Sequence, residues 1–326
     1  MKRLDYYWNS INLISLSLLP LSGVFCLLGL LRAKLYHAGL LKSYRAPVPV
    51  VIIGNITAGG TGKTPMIIKL VEQLQKQGKK PAVISRGYGG QSTSWPQRVT
   101  ATSTAEQVGD EPVLIFQRTA CPVVVGPNRR QDIERLLADE ACDVVLSDDG
   151  LQHYALQRDI EIAVVDASRK FGNGFCIPSG PLRERVTRLQ QVDMVLLNGG
   201  DETQDSFKLL ATSCVPVSNK TDENLDLSSF AGKTVHAVAG IGHPERFFTM
   251  LKQQNINVLQ HVFPDHYAYK ESELKFSDDL AVLMTEKDAV KCRGFSLNNH
   301  WSVPVDIVFS NSAQNKLNQL LDLNTI

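Results

Sequence analysis

The stretch GNITAGGTGKTP at residues 54–65 follows the apolar run PVPVVII and has most of the pattern G-x-x-x-x-G-K-[ST] of a phosphate-binding loop. The first glycine of the pattern is replaced by Thr57. A strand before the glycines and a helix after them would aim backbone N–H groups and the positive helix end at phosphates. The alternative is a glycine turn with a solvated Lys63. We predict a nucleotide site whose candidate contacts are Thr57, Ala58, Gly59, Gly60, Thr61, Gly62, Lys63 and Thr64.

Short apolar runs that alternate with helical stretches predict the fold around this loop. The predicted strands lie at residues 48–54, 81–85, 121–126, 142–148, 160–166 and 192–198. Most are continuously apolar, which is typical of strands buried on both faces of a parallel sheet. Helices are predicted at residues 65–78 and 127–140. The pattern indicates an α/β fold of the P-loop NTPase kind, a doubly wound and mostly parallel sheet with ligands at the carboxyl ends of its strands.

A second, smaller α/β domain is predicted towards the end of the chain. Residues 201–229 are polar and lack strand character, and a strand, a glycine turn and an amphipathic helix begin at residue 233. Further strands are predicted at residues 258–263, 280–285 and 305–309. We therefore predict an apolar N-terminal helical segment at 1–45, a P-loop domain at 46–225, and a domain at 226–326 that closes the cleft.

The overall composition excludes several classes of protein. The chain of 326 residues has Lys+Arg 34 and Asp+Glu 33, a formal net charge of +1. Neither this balance nor any basic tract indicates binding to nucleic acid. The six cysteines include no C-x-x-C pair, which argues against structural zinc and a disulfide scaffold and favours reduced thiols in a cytosol.

Residues 11–31, INLISLSLLPLSGVFCLLGLL, carry no charge and have basic residues on both sides. The stretch is long enough to cross a bilayer as a helix. Pro20 and polar residues near one helical face make a helix lying in the membrane interface a competing interpretation. A cleaved signal peptide and a buried core helix are the remaining alternatives. We predict contact with a membrane. If the segment spans it, the larger number of Lys and Arg residues after the segment than before it keeps the main body on the cytoplasmic side.

Acidic and basic side chains near the predicted strand ends could bind a metal ion and phosphates. Asp148 and Asp149 end an apolar strand, where carboxylates can hold Mg²⁺ directly or through water, and the Thr64 hydroxyl would join its shell. The alternative for the two aspartates is a turn that closes the strand. Arg183 and Glu184 follow a Gly-Pro turn and could supply a phosphate clamp and a further carboxylate, or a surface ion pair on a capped helix.

Three further segments hold candidates for catalysis or binding. Asp110 lies in the acidic loop GDEP and could accept the proton of an attacking hydroxyl. His266 lies between aromatic residues, where a lone histidine is more often a packed or surface group. In TEKDAVK, Thr285 is predicted to cap a helix, and Lys287 is a candidate for ligand contact.

The tetrapeptide NKTD at residues 219–222 matches the N-K-x-D signature by which GTPases recognise guanine. It opens the polar stretch, and no D-x-x-G segment follows the second or third predicted strand. We interpret it as a chance match. The alternative function is a regulatory or metallochaperone NTPase, which predicts a D-x-x-G switch or clusters of Cys and His that this sequence does not contain.

The order of the motifs adds a resemblance to these interpretations. TAGGTGKTP, SRGYGG, GDEP, SDDGLQH, PSGPLRE, FPDHY and TEKDAVK follow one another behind the apolar segment. This set resembles the tetraacyldisaccharide 4′-kinase family from about residue 10 to about residue 295. The resemblance implies transfer of the γ-phosphoryl group of ATP, with Mg²⁺, to the 4′-hydroxyl of a tetraacylated glucosamine disaccharide 1-phosphate in lipid A synthesis. It also implies a location at the cytoplasmic face of the Gram-negative inner membrane, peripheral or with one N-terminal anchor, and no protein partner.

The resemblance also implies roles for individual residues. Asp110 matches the family's catalytic aspartate, and His266 matches its histidine partner across the cleft. A small hydroxyl residue also stands at the position of Thr57 in the family. Lys63 and the loop amides would spread the charge that develops on the γ-phosphoryl group. The positions that match residues near the metal or the phosphates are Asp148, Asp149, Glu184 and Arg183.

Overall fold

The computed structural model describes residues 4–218 and 224–322, so the NKTD match at residues 219–222 lies outside the described residues. The chain divides into two compact units. The first unit comprises Met1–Ile84, Asn128–Lys208 and Val308–Ile326, and the second comprises Ser85–Pro127 and Leu209–Ile307.

The described elements alternate between strands and helices for most of the chain. The helices are α1 (Leu13–Ser17), α2 (Leu19–His37), α3 (Lys63–Lys76), α4 (Ala105–Val108), α5 (Asp110–Thr119), α6 (Arg129–Asp139), α7 (Pro244–Gln253), α8 (Glu286–Ala289) and α9 (Asn311–Leu320). The strands are β1 (Val50–Gly54), β2 (Pro81–Ser85), β3 (Gln97–Arg98), β4 (Val123–Val125), β5 (Val144–Asp148), β6 (Ile160–Asp166), β7 (Met194–Asn198), β8 (Ser206–Leu210), β9 (Ser213–Pro216), β10 (Leu225–Asp226), β11 (Thr234–Ala239), β12 (Asn257–Val262), β13 (Val282–Thr285), β14 (His300–Val303) and β15 (Asp306–Phe309).

The sheet of the first unit brings the phosphate loop beside the two aspartates. Its strands run parallel in the order β8, β7, β6, β1, β5, β2. Every residue of β1 and of β5 is buried, as their mostly apolar sequences predict. Ile53 lies opposite Asp148 in the β1–β5 pair, so the segments that follow these two strands start at the same edge. The predicted α/β fold with a doubly wound parallel sheet is confirmed.

Two predictions of local structure are wrong. Residues 109–112 are not a loop, because α5 begins at Asp110. Proline is tolerated in a first helical turn, where its missing N–H would have no partner, and acidic residues there face the positive helix end. Residues 201–229 do not lack strands, since β8, β9 and β10 lie there. In β8 only Ser206 and Phe207 are buried, which explains why the sequence shows no apolar run.

The second unit is an α/β structure with its own sheet, as predicted for the end of the chain. Its strands follow the order β10, β9, β14, β13, β11, β12. The four strands β11 to β14 are parallel, whereas β9 runs antiparallel to β14 and β10 antiparallel to β9. Phe247, Phe248 and Leu251 on one face of α7 belong to the core of this unit together with residues of β11. Helix α5 contacts α8, which places the first turn of α5 near the carboxyl end of β13.

The bounds of these units differ from the predicted domains at 46–225 and 226–326. Residues 85–127 belong to the second unit and residues 308–326 to the first. These units are defined by packing, whereas the predicted domains are units of function. The predicted domains, and the closing of a cleft by the second one, therefore stay predictions.

The apolar N-terminal segment forms two helices and not one. Helix α1 ends at Ser17, and α2 starts at Leu19 with Pro20 in its first turn, where proline is tolerated. The Ser22 hydroxyl donates to the carbonyl of Cys176 at 2.7 Å, and the Ser179 hydroxyl donates to the carbonyl of Ser15. The polar face of the segment therefore packs on the first unit.

Helix α2 leaves most of its apolar residues exposed. It has 19 residues and is long and apolar enough to cross a membrane. Only 6% of its most apolar stretch is buried. Length and composition alone are weak support for a membrane span. Leu27 is 65% exposed and Leu28 60% exposed, whereas Ser22 and Cys26 are the buried residues of the helix.

Candidate functional site

The segment after β1 forms the turn that the glycines predict. Helix α3 begins at Lys63, and Gly62 before it has a φ of 98°, in the left-handed region that favours glycine. A Cβ at Gly62 would lie 2.6 Å from Nδ2 of Asn198. Glycine is therefore required at this position, both for the backbone conformation and to avoid a clash with Asn198. The N-terminus of α3 faces the loop, as in a phosphate-binding site.

Three contacts from other segments hold the backbone of the loop. The N–H of Ala58 donates to the carbonyl of Pro181 at 2.8 Å. Nδ2 of Asn198 donates to the carbonyl of Thr61 at 2.9 Å, and the Arg169 guanidinium donates to the carbonyl of Gly60. No motif in the sequence points to Arg169, whereas Asn198 is a polar residue that ends an apolar strand.

Thr57, at the altered position of the pattern, is buried and forms a backbone bridge with Leu182. The residue after Leu182 is Arg183, whose N–H donates to the carbonyl of Ile56 at 2.7 Å. The segment at residues 181–183 thus runs beside the start of the loop and carries the predicted clamp residue with it.

Lys63, Arg183, Asn55 and Asp149 form what we call the phosphate-loop cluster. Nζ of Lys63 donates to Oδ1 of Asn55 at 3.2 Å and lies 3.6 Å from Oδ1 of Asp149. Nη1 of Arg183 donates to Oδ2 of Asp149 at 2.6 Å. Burial tends to raise the pKa of Asp149, but the charges of Lys63 and Arg183 hold it below its usual range. The carboxylate therefore stays ionised between two cations.

The aspartates Asp148 and Asp149 lie as predicted at the end of β5. Asp148 is the last residue of the strand and is buried. Asp149 has a φ of 50°, which turns the chain sharply after the strand and points its carboxylate at Lys63. Thr64, the second residue of α3, is half-buried in the same unit.

Glu184 has different partners from the other predicted metal residues. Its Oε2 accepts from Nε2 of Gln152 at 2.9 Å, and its Oε1 accepts from the hydroxyl of Tyr154. Gln152 also donates to the carbonyl of Asn55, directly after β1. Glu184 is thus engaged in a polar network under the loop, and its role as a metal ligand stays a prediction.

Asp110 and His266 lie together in the second unit. Nδ1 of His266 is 3.1 Å from Oδ1 and 3.0 Å from Oδ2 of Asp110. An ionised carboxylate can only accept, so Nδ1–H donates and Nε2 carries the lone pair of the neutral ring. Nε2 lies 3.8 Å from Oδ2 of Asp265, too far for a hydrogen bond. We call these two residues the acid–histidine pair.

The electrostatics of the pair place its proton on the imidazole. Burial tends to raise the pKa of Asp110, which is 3% exposed, but the hydrogen bond from His266 and the charge of Lys287 lower it. The same hydrogen bond raises the pKa of His266 against the opposing effects of burial and Lys287. His266 also has a left-handed φ of 59°, and strained backbone at a non-glycine residue is common at functional sites. Tyr88 of the SRGYGG motif lies beside it, with ring centroids 5.0 Å apart.

The structure thus brings the predicted residues together in two groups. Lys63, the loop and the aspartates after β5 meet in the first unit, together with Arg183. Asp110 and His266 meet in the second unit although 156 positions separate them in sequence.

A family model described as tetraacyldisaccharide-1-P 4′-kinase matches residues 14–322. A tetraacyldisaccharide 4′-kinase of Actinobacillus pleuropneumoniae serotype 7 is 49% identical over 306 residues, which cover 93% of this chain and 94% of that protein. A protein of the same name from Nitrosococcus oceani is 48% identical over 301 residues, covering 92% of this chain and 89% of that protein.

One solved structure is similar over nearly the whole chain. It is the LpxK of Aquifex aeolicus in complex with ATP, with a TM-score of 0.76 and 26% sequence identity. The match covers 94% of this chain and 99% of that one. The fold is therefore shared along the chain, including the parts that carry both groups of candidate residues.

Proposed function

The chain belongs to the tetraacyldisaccharide-1-P 4′-kinase family, and from this membership we propose that it transfers the γ-phosphoryl group of ATP to the 4′-hydroxyl of a tetraacyldisaccharide 1-phosphate. The product belongs to lipid A biosynthesis. The observation that carries the proposal is the phosphate-loop cluster, in which the ammonium of Lys63 and the guanidinium of Arg183 share the carboxylate of Asp149 beside a glycine loop. Relatives with the same name cover nearly the whole chain, which supports the choice of substrate.

On the nucleotide side, the residues of the first unit bind and orient ATP. The loop amides at residues 57–64 and the start of α3 hold phosphate oxygens. When ATP is bound, the negative charge of its γ-phosphoryl group competes with the carboxylate of Asp149 for Lys63 and Arg183. Both cations can then contact that group. Charge that develops on the equatorial oxygens in the transition state is spread over these two cations, which is where most catalysis of phosphoryl transfer lies.

The residues after β5 fit a Mg²⁺ ion. Oδ1 of Asp149 is buried and accepts no hydrogen bond from any described residue, and carboxylate and hydroxyl oxygens are the ligands that this ion prefers. Within residues 4–218 and 224–322 no three His, Cys, Asp or Glu side chains are grouped to hold a metal. That fits an ion held by one or two carboxylates together with substrate phosphates. Asp148, Asp149 and Thr64 would hold it, and it would neutralise phosphate charge.

On the acceptor side, the acid–histidine pair takes up the proton of the 4′-hydroxyl. Asp110 is ionised and fixes the ring of His266 through Nδ1, which leaves Nε2 to accept the proton as the oxygen attacks. The raised pKa of the imidazole makes it a stronger base than an ordinary histidine. This division of roles replaces the sequence-based hypothesis, in which Asp110 accepts the proton itself and His266 orients or tunes it.

The proposal predicts that consumption of ATP depends on the lipid acceptor. Purified protein with radiolabelled ATP and Mg²⁺ should label the disaccharide 1-phosphate in detergent micelles and should release little phosphate without it. Mass spectrometry of the product locates the new phosphate. Equal ATP hydrolysis with and without acceptor would instead support the alternative function of a regulatory NTPase. No structural feature among the described residues favours that alternative.

We propose that α2 docks the protein on the cytoplasmic face of the inner membrane as a helix in the interface. Its polar face packs on the first unit through Ser22, which a helix crossing the bilayer would not need to do. Its exposed leucines form an apolar surface that a lipid bilayer would cover. A substrate with four acyl chains stays in the membrane, so docking presents it to the enzyme.

Replacing Leu27 and Leu28 together by asparagine should weaken binding to vesicles of phosphatidylethanolamine and phosphatidylglycerol roughly 100-fold or more. Each leucine is more than half exposed, and its burial in lipid contributes about 1.5–3 kcal/mol. Co-sedimentation measures the bound fraction. The control is Val308→Asn, at an apolar residue that is 51% exposed elsewhere in the first unit. Unchanged sedimentation of the double variant would mean that α2 is not a peripheral membrane contact.

A further inference from the structure

Lys287 joins the two segments that carry the acid–histidine pair. Its Nζ donates to Oε1 of Glu111 at 3.0 Å and to Oδ1 of Asp265 at 3.3 Å. Glu111 follows Asp110 in the first turn of α5, and Asp265 precedes His266 after β12. Each carboxylate that Lys287 binds is therefore the chain neighbour of one member of the pair.

The two ion pairs of Lys287 are partly shielded from solvent. The side chain of Lys287 is 16% exposed, that of Glu111 26% and that of Asp265 29%. Burial alone would lower the pKa of the ammonium, but the charges of Glu111, Asp110 and Asp265 raise it far above its ordinary value. Lys287 therefore stays charged, and its contacts are screened less than those of a surface pair.

The position of Lys287 is fixed from its own side as well. It is the second residue of α8, whose first turn is capped by Thr285, as the sequence predicts. The Thr285 hydroxyl accepts from the N–H of Asp288 at 3.2 Å, and the Asp288 carboxylate accepts from the N–H of Gly240 at 2.9 Å. The lysine thus projects from a turn that is tied to the end of β11 and cannot shift freely.

We propose that Lys287 is a positioning residue for proton transfer, which holds α5 and the segment after β12 at the separation that the contact between Asp110 and His266 requires. Without it, Glu111 and Asp265 would be two uncompensated carboxylates on the adjoining segments. This inference rests on the proposed function, because it assigns Lys287 a part in that reaction. Lys287 is not a catalytic residue in this account, since it acts through its neighbours.

The charge of Lys287 supplies a readout that a merely structural role would not. The charged groups that act on His266 are Asp110 on α5, Asp265 beside it and Lys287 on α8, while Glu111 is a partner of Lys287 and Lys291 acts on Asp110. Lys287 lowers the pKa of His266, whereas Asp110 and Asp265 raise it. Removing the ammonium takes away a repelling charge and leaves Glu111 and Asp265 unneutralised. Both changes raise the pKa of the imidazole.

The test is Lys287→Met against Lys287→Arg, assayed for kcat, for both KM values and across pH. The Met variant should lose roughly 10- to 100-fold in kcat, because the base is less well placed, and should keep the KM for ATP. A base acts in its neutral form, so the acid limb of its pH profile should move to higher pH. The Arg variant keeps the charge and should retain the wild-type limb and most of kcat. The control Lys275→Met removes an exposed lysine that pairs with Glu271 and should behave as wild type.

Two results would overturn the proposal. One is a wild-type kcat and pH profile in Lys287→Met. The other is a loss of kcat that follows a lower Tm while the acid limb stays in place, which would reduce Lys287 to a stabilising contact. The pKa of His266, measured by NMR on protein with labelled histidine and no substrate, should also rise in Lys287→Met. That measurement stands even if the acceptor proves not to be the disaccharide, so the two proposals can fail separately.

Discussion

Replacing Lys63 by methionine should lower kcat for phosphoryl transfer roughly 10²- to 10³-fold, the cost of removing one preorganised group that stabilises transition-state charge. Lys63 is the first residue of α3, and its ammonium lies within reach of both Asn55 and Asp149. No other lysine among the described residues makes these contacts. Methionine has a similar length, so packing is retained. The measurement is steady-state kinetics with saturating ATP and lipid acceptor, with nucleotide affinity measured separately.

The loss in the Lys63→Met variant should not come from unfolding. Asp149 keeps the guanidinium of Arg183 at 2.6 Å, so no carboxylate is left without a cation. The matched control is Lys76→Met at the exposed end of the same helix, which should keep wild-type kcat. A Lys63→Met variant with more than half of the wild-type kcat and normal ATP binding would show that the loop is not the phosphate site.

The parts of the fold that follow from local sequence could be predicted. β1, β5 and β6 are buried at every position, and sequences that are mostly apolar are typical of such burial. The loop after β1 could be predicted because glycine is needed at Gly62 for both φ and space. Once a parallel sheet is expected, Asp148 and Asp149 at the end of a strand are placed near the loop by topology alone.

The contacts that depend on tertiary packing could not be predicted from local pattern. The partners of Glu184 are Gln152 and Tyr154, which carry no motif of their own. Residues 85–127 pack with the second unit, although their sequence continues the alternation of strands and helices that marks the first. The ion pair between Lys287 and Glu111 joins residues that are 176 positions apart in the sequence. The resemblance to a family supplied Asp110 and His266 as a pair, since composition and spacing alone did not select either.

Replacing His266 by glutamine should lower kcat roughly 10²- to 10⁴-fold, the range that a positioned general base contributes. Glutamine can still donate to Asp110 but cannot take up a proton. The KM for ATP should change little, because His266 is not a member of the phosphate-loop cluster to which we assign the binding of ATP. The acid limb of the pH profile should disappear with the imidazole. A glutamine variant that keeps kcat, or that changes only the KM for ATP, would remove His266 from the proton transfer.

Asp110→Asn separates the two roles within the pair. The amide cannot carry the charge that raises the pKa of His266, so that pKa should fall and the acid limb should move to lower pH. The value of kcat should fall as well, because the imidazole is then a weaker base and is less well oriented. The loss in kcat should be far larger than any change in the affinity for ATP. If Asp110 itself accepted the proton, the asparagine variant would lose the base outright and no shifted limb would remain. Lys287→Met should move the same limb in the opposite direction. Opposite shifts from a lost carboxylate and a lost ammonium can arise only if both act on one titrating group, and His266 is the group that lies between them.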